Sequence, residues 1–114
     1  MEDWTINYYR NENQNFIAEW ISTLETSTQA KILKNITLLE KRGISLKSPY
    51  TKQLEGKLWE LRTKDQKGIY RIIYFTRSEQ QITLLHGFVK KTNKTPSKEI
   101  EIAKIRMKEV IENE

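Results

Sequence analysis

The chain has 114 residues, a net charge of +5, 31% charged and 37% hydrophobic positions, and no cysteine. That is length for one domain, expected to span 1–114, which buries roughly two-thirds of its unfolded surface. Without cysteine there is no disulfide, iron–sulfur cluster, thiolate zinc site or cysteine nucleophile, and a lone histidine excludes a multi-histidine metal centre.

Three Trp, five Tyr and three Phe are the aromatic content of a folded chain rather than a disordered one. No apolar run approaches the roughly 18 residues of a membrane span. The opening MEDWTINYY carries acids where a secretory signal carries bases, so a cytoplasmic protein with no membrane partner is expected. Charge is unevenly placed. Residues 1–26 hold one base against five acids, a net −4, whereas residues 41–98 hold 14 Lys/Arg against four acids, a net +10. Such asymmetry fits either a surface that attracts polyanions, nucleic acid above all, or a solvated lysine-rich surface.

The aromatic and β-branched run at 4–9, with Trp4, Ile6 and Tyr8 on one face, predicts a first strand. The period then changes. Phe16, Ile17, Trp20, Ile21 and Leu24 form a helical stripe, and Ile32, Leu33, Ile36 and Leu39 repeat it between about Ser27 and Arg42, where Gly43 supplies a stop. The connection near Glu25–Ser27 leaves room only to turn back, which predicts a helical hairpin. From Gly43 to Lys57 no period is visible, and the segment reads as loop. LWELRT (58–63), IYRIIYFT (69–76) and QITLLHGFV (81–89), separated by short polar links, predict an antiparallel meander. Thr95 as N-cap and Pro96 at the first helical position predict a final helix to about Ile111.

Strand parity places Leu58, Glu60 and Arg62 on one face and Trp59 and Leu61 on the other, and separates Arg71, Ile73 and Phe75 from Tyr70, Ile72 and Tyr74. With helices on one side of the sheet, a mid-strand arginine has to reach an edge or face an open groove, and a groove suits a polyanion. Strict alternation puts His86 with Ile82, Leu84 and Phe88.

The stretch LWELRTKDQKGIYRIIYF, then LLHGFVKKTNKTP, then a helix opening E-x-E-x-A, resembles the HigB-like branch of the RelE/ParE toxin superfamily, including its phage-derived members, from about Leu54 to Glu109. The resemblance implies an α+β, RelE-like fold: N-terminal strand, helical hairpin, three-stranded antiparallel meander in a curved sheet, and C-terminal helix. It also implies a toxin that cuts mRNA on the ribosome and is neutralised by an antitoxin, commonly a helix-turn-helix protein, with no metal and no small-molecule cofactor. Carried over by position, Arg62 and Arg71 match the family's sheet arginines, and Lys90 and Lys91 its basic pair at the end of the last strand; these four are the catalytic candidates. The tail after Lys108 lacks the aromatic or histidine that several relatives use, so no general base is assigned.

Metal-free RNA cleavage requires the ribose 2′-hydroxyl to be aimed at its own phosphate, charge to be neutralised and protons to be moved. Arginine suits the second task, and lysine the third if neighbouring cations depress it. Arg71 is either a phosphate contact or the partner of Glu60 in a structural ion pair; its replacement is expected to remove activity and spare the fold. Replacing Lys90 and Lys91 is expected to weaken binding more than chemistry. Lys94 joins that basic cluster ahead of a helix N-terminus, and the cluster reads equally as a solvated charge run. Tyr70 and His86 are candidate RNA contacts, each with a core or sheet-face role as the plainer reading. In the final helix Ile100, Ala103, Met107, Val110 and Ile111 form the main stripe; Ile102 and Ile105 lie nearly opposite and are the candidate antitoxin contact. Two other functions fit the same residues: non-enzymatic inhibition of DNA gyrase in the manner of ParE, and nucleic-acid binding without toxicity.

Overall fold

A computed structural model describes residues 3–90 and 94–113. In chain order the elements are β1 (Thr5–Tyr8), α1 (Phe16–Ser22), α2 (Thr26–Arg42), a 3-10 turn (Gly43–Ser45), β2 (Thr51–Gln53), β3 (Trp59–Asp65), β4 (Gly68–Arg77), β5 (Gln81–Lys90) and α3 (Ser97–Glu112). The strands form one five-stranded sheet of order β1-β5-β4-β3-β2. β1 runs parallel to β5 and the other neighbours are antiparallel. The α+β architecture of strand, helical hairpin, meander and C-terminal helix stands as expected.

The helical hairpin forms where the period predicts. Asn15 caps α1, its side chain accepting from the Ala18 N–H at 3.0 Å, and α2 stops at Gly43, whose φ of +53° is open to glycine. Any Cβ there would overlap the Trp4 indole. The hairpin covers the sheet face that carries Leu61, Thr63, Tyr70, Ile72 and Gly87. Asn35 of α2 donates to the Thr63 hydroxyl at 3.0 Å, and Trp20 of α1 lies so close over Gly87 that a side chain at that position would strike it. Ile17, Ile21, Ile32, Ile36 and Leu39 are buried there, and apolar area removed from water drives the packing at about 25 cal/mol per Å².

Four readings from the sequence need correction. The segment between Gly43 and Lys57 is not all loop, because Thr51–Gln53 pairs with Trp59–Leu61 of β3; three residues are too few to show a period. Helices do not lie on one side only. α3 packs its Ile100, Ala103, Met107 and Val110 stripe on the other face, while Ile111, assigned to that stripe, is exposed. Thr95 does not cap α3: Pro96 holds the N-cap position with no side-chain cap. Finally, strict alternation fails in β5, where Ile73 pairs with His86 but Tyr74 pairs with Leu84. The skipped Leu85 is a bulge residue, so His86 and Phe88 share the α3 face while Leu84 and Ile82 turn to the hairpin face.

Candidate nucleic-acid interface

The register brings a charged set onto the α3 face: Lys52 lies opposite Glu60, Arg62 opposite Arg71, and Arg71 opposite Phe88, with Lys90 two residues further along β5. Arg71 does not face an open groove. It is fully buried, and its Nη1 is ion-paired with Glu60, itself fully buried. Of the two alternatives left open for this arginine, the ion pair is the one formed. Burial lowers its hold on its proton, yet a guanidinium stays charged.

Glu60 is the hub. Its Oε1 accepts from the Thr95 hydroxyl at 2.8 Å, and that hydroxyl in turn accepts from Lys90 Nζ at 3.4 Å. Thr95 therefore spends its hydroxyl inside the molecule, which explains why the helix goes uncapped. Among the described residues, Nε and Nη2 of Arg71 have no hydrogen-bond partner. One carboxylate thus answers a buried arginine and, through Thr95, a buried lysine. Lys90 is 4% exposed. Burial first, then the charges of Arg71, Lys52 and Arg62, push it down to about 8. A lysine so depressed is a proton acceptor near neutrality, which an ordinary one is not.

Two open hollows flank this cluster. One, of about 310 Å³, is lined by Lys52, Gln53, Leu54, Lys94, Thr95 and Ile100. The other, of about 580 Å³, runs between α2 and the free part of β3, with Arg62 on its wall. Lys94 is exposed at the first and Arg62 half-buried at the second. Lys91 lies outside the described residues.

The remaining candidates sit elsewhere. Tyr70 is buried on the hairpin face, opposite the charged cluster. His86 lies under α3: Nε2 meets Glu99 at 2.8 Å, Nδ1 meets Arg106 at 3.5 Å, and the ring stacks on Phe88. Burial lowers its pKa, with Glu99 opposing, so it is a satisfied sheet-face histidine. Ile102 is half-buried and Ile105 is 55% exposed. Lys52 was not singled out from the sequence because it stood in apparent loop, and Thr95 was given a capping role because Thr-Pro before a helix carries the same signature whichever way the hydroxyl turns.

The family profile described as phage-derived protein, Gp49-like (DUF891), matches residues 19–108. The chain belongs to this family. Gp49-like proteins are grouped with the RelE/HigB-like toxins, which is the superfamily the strand motifs resemble; membership in the HigB branch itself is a narrower statement. The matched region of this Gp49-like chain begins within α1 and contains β2 to β5 and most of α3, and so every residue of the charged cluster. No curated protein gives a significant match. Among the described residues of the Gp49-like chain, no helix is long and apolar enough to cross a membrane.

Proposed function

We propose that this Gp49-like protein is the toxin of a toxin–antitoxin pair and a metal-independent endoribonuclease that cuts mRNA on the ribosome. The observation that carries the reading is the place of Lys90, buried behind Thr95 at the wall of a hollow that carries Lys52 and Lys94, where burial and neighbouring cations push it down to about 8. At pH 7 roughly one such lysine in ten is neutral, against fewer than one in a thousand at the ordinary value. Lys90 lies behind Thr95, which lines the smaller hollow, so the ribose 2′-hydroxyl gives its proton to the Thr95 hydroxyl as that hydroxyl passes its own to neutral Lys90 and the 2′-oxygen bonds to phosphorus. The 5′-oxygen then leaves with a proton from water, giving a 2′,3′-cyclic phosphate and a free 5′-hydroxyl. Lys52, Lys94 and Arg62 supply the positive surface for the phosphate, each well-aimed donor lowering the barrier by about 3 kcal/mol. Arg71, being buried, is a positioning residue: it holds Glu60 and lowers the proton affinity of Lys90. Lys90 therefore belongs to the chemical step rather than chiefly to binding.

The antitoxin is a helix-turn-helix protein that seats on Ile102 and Ile105. Burial of Arg71 favours one rival, a ParE-like inhibitor of DNA gyrase in which the cluster is purely structural. Inducible expression of wild type and Lys90→Met separates the two. Growth arrest with new RNA 5′-hydroxyl ends, lost in Lys90→Met, supports the nuclease. Arrest by both proteins, with impaired supercoiling and intact mRNA, overturns it.

A further inference from the structure

The groove between α2 and β3 has chemistry that the cleavage site does not use. Its walls carry Lys31 and Lys34 from α2 and Arg62 and Lys64 from β3, with no acidic side chain in the lining. The three-residue spacing of Lys31 and Lys34 puts both on one side of the helix. β2 covers β3 only as far as Leu61, and the Tyr50 carbonyl accepts from the Arg62 N–H at 2.7 Å, so beyond Arg62 the outer edge of β3 has no strand neighbour among the described residues. Asn35 bridges the gap from the helix, its amide donating to the Arg62 carbonyl at 3.2 Å and to the Thr63 hydroxyl at 3.0 Å. Asn35 and Thr63, both in the lining, thus tie α2 to β3 by hydrogen bonds at the groove. At its mouth stands Tyr50, 40% exposed beside Pro49.

We infer that this groove binds single-stranded RNA, with phosphates on the four cations and a base stacked on Tyr50, as an extension of the substrate path. The inference rests on the nuclease reading for its direction, because Arg62 belongs to both places. It lines the groove and its charge acts on Lys90. A strand lying across Arg62 would join the two. A volume of about 580 Å³ is that of a small-ligand pocket, which suits a nucleotide or two of one strand and not a duplex. Cations without acids select a polyanion, and an exposed flat ring among them is what distinguishes an RNA strand from an acidic peptide, since bases stack and carboxylates do not.

The test uses the full chain and a labelled, fully 2′-O-methylated oligoribonucleotide, which keeps phosphates and bases but cannot be cut through its 2′-oxygen. Binding is thereby read apart from cleavage. Lys31→Ala with Lys34→Ala, both exposed positions, should weaken binding about tenfold at low salt and reduce the log–log salt slope by about 1.4, the contribution of two phosphates. Tyr50→Ala should weaken it about fivefold or more and Tyr50→Phe should not, as stacking requires. Lys108→Ala, an exposed charge on α3, should leave binding within about twofold and serves as the charge control. Unchanged affinity in the Lys31/Lys34 and Tyr50→Ala variants overturns the groove, whatever the protein does to cleavable RNA. So does equal binding of a duplex, or preferential loss of polyglutamate binding, which would assign the groove to an acidic protein segment. Failure of the nuclease reading shows elsewhere, in cleavable RNA left intact by wild type.

Discussion

Both faces of the sheet bury apolar side chains under helices, but only one of them buries charge as well. Under the helical hairpin, Leu61, Ile72 and Tyr74 meet Ile17, Ile32, Ile36 and Leu39 in a continuous apolar layer. Under α3, the same strands present Glu60, Arg71, His86 and Lys90, and their burial is compensated by ion pairs and hydrogen bonds instead. An apolar layer loses stability in proportion to what is removed from it. A buried charge network loses it through what is left behind, because the surviving partner is stranded in low dielectric. The first face is mostly apolar; the second sets a charge network, with its stability cost, beside buried Ile73, Phe75, Phe88 and Ala103.

The sharpest way to break this contrast is at Arg71 and Glu60. Glu60→Leu leaves Arg71 buried without its carboxylate and should cost about 3–5 kcal/mol in chemical denaturation, as should Arg71→Met in reverse. The double variant should cost less than either single change; simple additivity would show that the pair is not the unit. Arg71 is thus not an arginine whose removal spares the fold, contrary to the expectation from sequence. On the hairpin face, Leu39→Ala should cost about 2–5 kcal/mol, with no rescue by a partner change.

Smaller effects come from protons. Lys90 is ordinarily protonated up to about 10.4 but only to about 8 in the fold. Between these values the unfolded chain binds the extra proton, so stability should rise with pH across that window. Lys90→Met should remove the rise, and a rise that persists would assign it to another group. For His86 the folded pKa lies below the ordinary 6.5, with burial the leading cause. Here too the unfolded state binds more protons, so its contribution is lost as pH falls from about 6.5. As the sole histidine of the chain, it titrates unambiguously by NMR, and a midpoint above 6.5 would mean that Glu99 dominates over burial. The smallest change is Ile105→Ala, which should alter stability by no more than about 0.5 kcal/mol. Together with Ile102→Ala, it should nonetheless abolish antitoxin binding in high salt while toxicity is kept.

What was legible from the sequence follows the strength of the local signal. The hairpin helices announce themselves by period, and the meander by three β-prone runs with short polar links. The parity that separates Arg71 from Tyr70 survives intact, because β3 and β4 pair without irregularity, and β4 and β5 do so from Ile69 to Ile73. Parity fails one residue beyond, where the extra Leu85 moves His86 to the face opposite Leu84. A bulge of this kind depends on how β5 must bend beneath its neighbours and has no compositional mark. The interface itself was half legible. Arg62, Lys90 and Lys94 were found as charges in strands or beside a helix, but the hub role of Glu60 depends on Thr95 arriving from 35 residues away. Whether Arg71 was open or covered turned on the α3 stripe, which says that the helix packs but not on which face.

The hydrogen bond from the Tyr9 hydroxyl to Glu109, at 2.6 Å, spans a separation of 100 residues, and β1 takes its place beside a strand that begins at Gln81. Early and late segments are each other's supports. Contacts of such sequence separation require a large loop to be closed before they repay its entropy, so they form late. On a chain emerging from its N-terminus, the helical hairpin can gather while the meander is still being made, but the edge strand has nowhere to dock until β5 is out. Glu60 and Arg71 stand on an uncovered sheet face until Thr95 and then α3 follow. The charged cluster is therefore a late part of the molecule to assemble, and a nascent chain carries Glu60 and Arg71 well before it carries the Thr95 that joins them to Lys90.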